Sequence, residues 1–153
     1  MSISAIAQGA APAAVRTLRD EVAATKHHVS WSKVADATAA TATAESPFYR
    51  APEAKTLSAL YIVPGANVTA NDTDYATITI KKRPATDYTT PATVATLVTN
   101  VAGGSWVAFT PKSLGTLTNA TLAAGDILTA TIAKAGSGVT IPISVVVGAT
   151  VPA

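Results

Sequence analysis

The sequence predicts a mainly β protein: an antiparallel β-sandwich, jelly-roll-like, preceded by an N-terminal arm and one short α-helix. Three observations carry this. β-Branched residues are abundant, with 24 Thr among 153 residues, while straight-chain helix formers are scarce. Apolar and polar residues alternate with period two through most of the chain after Lys26. Turn formers then recur between these short runs, with no helical pattern separating them.

Taken in order, residues 1–11 are small and apolar without useful periodicity, and read as an arm that orders against a partner. Pro12 suits the first position of a helix running to about Thr25. Val15, Leu18 and Val22 form a narrow stripe on it. Such a stripe makes no core alone, so it must pack on the β domain or on copies of itself. The expected division is 1–25 for arm and helix, and 26–153 for the β-sandwich domain.

From there Val29 and Trp31 alternate with serines, and "TAATATAES" alternates Ala with Thr. Leu57–Val63, Tyr75–Lys82, Thr93–Val101, Trp106–Thr110, Ile127–Lys134 and Val139–Val147 read as further strands. Pro142 places the last of these at an edge or a bulge. Pro64-Gly65, Asn71-Asp72, Arg83-Pro84, Gly103-Gly104, Pro111, Gly125-Asp126 and Gly136-Ser137-Gly138 supply the turns.

Composition narrows function. Only 13% of residues are charged and the net charge is +2, too little to argue for nucleic acid or an anionic membrane as partner. The absence of cysteine removes disulfides and thiolate chemistry. The N-terminus lacks the basic leader and apolar run of a signal peptide, so synthesis in a cytoplasm is expected. No segment approaches the roughly 20 apolar residues of a membrane helix.

Chemistry-bearing residues are sparse. Asn67, Asn71, Asp72 and Asp74 in the loop Ala66–Asp74 offer oxygen ligands of the kind calcium takes, but EF-hand spacing is absent and Asn and Asp also make turns. The turn reading is preferred, and no metal or other cofactor is expected. Asn67, Asn71 and Asn119 each begin a glycosylation sequon, a match that chance supplies in a Thr-rich chain. His27 and His28 are neighbours, so a strand points them to opposite faces, away from a shared metal. Lys81 and Arg83 should share one face of a strand end and Lys82 the other; an exposed strand end is the preferred reading, and a contact with an acidic partner surface is the alternative.

Asp36, Glu45, Glu53, Asp72, Asp74, Asp87 and Asp126 look dispersed in loops, with no pair marked for acid–base work. The aromatics Trp31, Phe48, Tyr49, Tyr61, Tyr75, Tyr88, Trp106 and Phe109 could include a sugar-stacking platform, but at 5% of the chain most are needed in the core or at a subunit interface. No catalytic residues are assigned, and the chain reads as a non-enzyme.

The order "ESPFYRAPEAKTLSALYIVPGANVTANDTDYATITIKKR", "SWVAFTPKSLGTL", "LAAGDILTATIAKAGSGVTIP" resembles β-sandwich structural proteins of tailed bacteriophages, the head decoration and head-fibre proteins. The likeness covers about Glu45 to Pro142 and rests on structural motifs. It implies a virion protein on the outer capsid surface, commonly a homotrimer, that binds the major capsid protein and stabilises the shell. Partner contact is then expected in the arm and helix, through Ile3, Ile6, Val15, Leu18 and Val22. The alternative is a carbohydrate- or receptor-binding sandwich module of a phage fibre, with a host-surface glycan as partner.

Overall fold

The computed structural model describes residues 27–31, 43–136 and 146–151. All regular structure in them is β. Ten strands run in chain order: β1 His27–Trp31, β2 Thr43–Arg50, β3 Lys55–Thr56, β4 Ala59–Val63, β5 Ala76–Arg83, β6 Ala92–Val98, β7 Lys112–Ser113, β8 Thr121–Leu122, β9 Ile127–Lys134 and β10 Val146–Val151. They form two four-stranded sheets, β1-β10-β4-β7 and β2-β9-β5-β6, and the small pair β3-β8; every pairing is antiparallel.

The centre of the second sheet is the ladder between β5 and β9, with register partners from Ala76↔Lys134 to Arg83↔Ile127 and no shift. Strict alternation produces it, because one slipped residue would turn Ile78, Ile80, Leu128, Ala130 and Ile132 out of the core together. The flanking strands join less regularly. β2 breaks register between Pro47 and Tyr49, and β6 does so opposite Ile80 and Lys81. Each shift is a bulge of the kind that bends an edge strand.

Leu60 and Ile62 from the first sheet and Ile78, Ile80, Val94, Leu128 and Ile132 from the second lie in one buried cluster, with Trp106, Val68 and Leu122 among them. Two buried polar side chains serve this core. Thr99 Oγ1 accepts the Ala76 amide at 2.8 Å. Asp126 accepts the Ala85 amide on one oxygen and the Ala123 amide on the other, both at 2.9 Å, which closes the Gly125-Asp126 turn onto the neighbouring chain.

Several expected boundaries move. The strand expected over Leu57–Val63 begins at Ala59, because Leu57 donates its amide to Ala120 across the β3-β8 pair. The strand expected to reach Val101 ends at Val98, where the chain turns through Asn100–Gly104. Trp106–Thr110 is not a strand: Trp106 makes a lone bridge to Val68, and Phe109 takes a left-handed φ of 56°, which breaks the extended run. The arm and helix at 1–25, with Ile3, Ile6, Val15, Leu18 and Val22, lie outside the described residues, as do Asp36, Val139 and Pro142.

Two substitutions separate packing from polarity on the central ladder. Ile80→Ala should destabilise by about 2–5 kcal/mol, as a cavity in a fully buried site. Thr131 lies on the opposite face, buried, with its hydroxyl unpartnered. Thr131→Val should therefore stabilise by about 1 kcal/mol, read as a shift in urea midpoint at unchanged m-value.

Candidate functional site

The two ends of the β5-β9 ladder carry different chemistry. β5 is eight residues long, so the ends stand about 25 Å apart.

At the Ala76 end, the Asn/Asp-rich loop is crossed by the segment 99–111. Val68 and Trp106 exchange backbone hydrogen bonds at 2.9 Å, and the Asn71 amide donates to Thr99 O. Ser105 Oγ accepts the Ala70 amide at 2.9 Å. Three of the loop's side chains hold backbone. Asn71 Oδ1 accepts the amides of Thr73 and Asp74, Asn67 Oδ1 that of Ala108, and Asp72 Oδ1 that of Val101. The turn-forming use expected of these residues is thus visible, and it extends further than a local turn. Asn67 and Asp72 reach 41 and 29 residues along the chain. Lys112 Nζ adds hydrogen bonds to Gly103 O and Ser105 O.

What this platform presents is apolar. Val101 is 63% exposed, Val107 56% and Phe109 79%. Each of the amides of Val101, Ala108 and Phe109 has a fixed acceptor, the last being Pro64 O at 2.8 Å. Phe109 in the left-handed region is a backbone outlier for a bulky residue, held by the bonds around it. Of the two places expected for the aromatics, core or interface, Phe109 is not in the core. Trp106 is in the core, buried while its neighbour Val107 is exposed.

At the Arg83 end a charged cluster spans three strands. Glu45 on β2 accepts from Arg83 Nε at 2.8 Å and from the Thr129 hydroxyl on β9 at 2.8 Å. Arg83 Nη2 is 2.7 Å from the same oxygen, and Lys81 Nζ stands 3.7 Å from the other. The strand end is not simply exposed as expected, since the Lys81, Arg83 and Glu45 side chains are only about a quarter exposed (28%, 26% and 25%). The predicted alternation holds: Lys82 turns the other way, donating to Thr121 O. Glu45 lies in a strand, not in the loop expected of it, whereas Asp126 is in a loop as expected but buried there.

Burial pushes the Glu45 carboxyl up, but the hydrogen bonds from Thr129 and Arg83 and the charges of Arg83 and Lys81 outweigh it and hold the group below its usual value. Nearby Asp87 is pushed down to about 2 by hydrogen bonds from the Thr89 and Thr90 hydroxyls and the Thr89 amide. Among the described residues no three His, Asp or Glu side chains converge as a metal site. His27 and His28 sit on β1 opposite Val151 and Thr150. Comparison with known protein families, curated proteins and solved structures finds no match to this chain.

The Asn/Asp-rich loop and the Lys81–Arg83 run stand out in the sequence, but the Glu45 cluster and the apolar tip do not. The Glu45 cluster joins positions 38 and 84 residues apart, a pairing that only the sheet register creates. The apolar tip had a signal: "WVAF" between Gly104 and Pro111 is apolar at successive positions, so one side had to face outward.

Because the folded Glu45 pKa lies below the unfolded value of about 4.3, its contribution is complete above that value and is lost as pH falls through the folded pKa. The melting temperature should therefore drop on acidification below about pH 5. Glu45→Gln should lower stability at pH 7 and flatten this acid limb, leaving the part due to Asp87 and other carboxylates.

Proposed function

We propose that this chain is a non-catalytic structural protein of a bacteriophage virion, bound to the outside of the capsid as a decoration protein. In this reading the two four-stranded sheets are the layers of a jelly-roll-like sandwich, and the major capsid protein is the partner. The observation that carries it is the apolar tip of Val101, Val107 and Phe109, held out by bonded loops. An aromatic 79% exposed on a strained backbone has no role in the fold and suits a contact. The resemblance of Glu45–Pro142 to head decoration proteins supplies the kind of partner.

A tip of three side chains is a small interface. Affinity would come from linked copies, a homotrimer on a repeating lattice, each weak contact raising the effective concentration of the next. The arm residues Ile3, Ile6, Val15, Leu18 and Val22 are the proposed second contact, to the shell or between copies. The glycan-binding alternative has Tyr88 as its described exposed aromatic.

Electron cryomicroscopy of phage heads assembled with and without the chain tests this, with density on the outer surface expected. Phe109→Gly relieves the positive φ and removes the ring. It should leave the melting temperature unchanged or higher while weakening head binding at least tenfold. Deletion of residues 1–25 should also weaken binding. Heads that bind neither the intact chain nor any variant, or that bind both variants as well as the intact chain, would overturn the reading.

A further inference from the structure

The Arg83 end holds a groove that neither the core nor the apolar tip accounts for. Its floor is Pro47 and Ile127, which line two adjoining hollows of about 380 and 270 Å³. One hollow is walled by Arg83 and Tyr88, the other by Arg50. Register explains the pairing of arginines: Arg50 and Arg83 both stand opposite Ile127, from the strands on either side of β9. Their backbones are therefore about 10 Å apart.

The two arginines are not equivalent. Arg83 is occupied, donating to Glu45 and to Tyr88 O. The Arg50 side chain is exposed and has no hydrogen-bond or carboxylate partner among the described residues. It lies against the Gly125 turn, where an added β-carbon would stand 3.7 Å from Nη2. The Tyr88 hydroxyl, 43% of its residue exposed, reaches the same turn from the other side through Gly125 O at 3.3 Å. Of the charged side chains that line the two hollows, Arg50 and Arg83 stand against Glu45 alone, which leaves the lining with one positive charge in excess, at Arg50.

We propose that this groove binds an acidic segment of a partner protein, an extended stretch in which carboxylate and apolar side chains alternate. The apolar side chain would cover Pro47 and Ile127, and the carboxylate would take the unspent guanidinium of Arg50 in a bidentate pair. Ten ångströms of floor suits about three residues of extended chain. A neutral sugar is the poorer fit, although Phe48, Tyr49 and Tyr88 are among the lining residues, because it would leave the Arg50 guanidinium without an anion. Glu45 has a defined part: it fixes Arg83 as a wall and repels a second carboxylate, setting the register of the bound acid. The proposal does not rest on the capsid reading.

The test uses the full chain and fluorescein-labelled peptides of alternating Leu and Glu, with Leu/Gln peptides of the same length as control. Fluorescence anisotropy should show binding to the Leu/Glu peptide that weakens with added salt, and at least tenfold weaker binding to Leu/Gln. Arg50→Ala, at an exposed side chain, should keep the melting temperature and weaken Leu/Glu binding at least fivefold. Phe109→Gly, at the far end, should leave it unchanged. Equal binding of the two peptides, no binding of either, or full binding by Arg50→Ala overturns the proposal. Binding of an oligouronate without the peptide overturns it in favour of an acidic glycan.

Discussion

The unshifted ladder between β5 and β9 is the constraint on which the rest of the molecule depends. Eight consecutive partners fix which face of each strand is buried, and so fix which side chains meet at each end. Lys81 and Arg83 fall beside Thr129 and Ile127 only in this register. The neighbouring strands then adapt to the ladder by bulging, and it is their register that yields.

Both faces of β9 are buried, which is unusual in a sheet with one polar side. Threonine reconciles this, since its methyl packs and its hydroxyl can be spent locally. Thr129 gives its hydroxyl to Glu45, and so ties the edge strand to the centre. Thr131, with no such acceptor, shows the cost of the same choice one pair along. A few polar groups in defined places thus do the work that a larger core would do in a more hydrophobic chain.

How much was legible in the sequence follows from the same physics. β5 and β9 could be read because alternation there is strict, and their bounds came out within a residue or two. The two-residue strands β3, β7 and β8 left no periodic trace, since two residues make no pattern. Trp106–Thr110 resembles a strand as a short apolar run between turn formers, and the left-handed Phe109 that interrupts it leaves no mark in the sequence. Asn67 and Asp72 were read as turn formers, but their long-range bonds to Ala108 and Val101 need a partner segment that no local rule supplies. The Arg50–Arg83 juxtaposition is likewise a product of register, invisible until β2 and β5 are placed on either side of β9.

The proline in β2 has one more consequence. Among the described residues β2 is an edge strand of its sheet, and an unpaired rim of backbone donors and acceptors invites another chain to extend the sheet. Pro47 removes a donor halfway along, and the irregularity beside it bends the rim so that a straight strand cannot lie against its full length. Copies crowded together would be kept from fusing into continuous fibrils, and their association would be left to side chains, which can be specific, in place of backbone, which cannot.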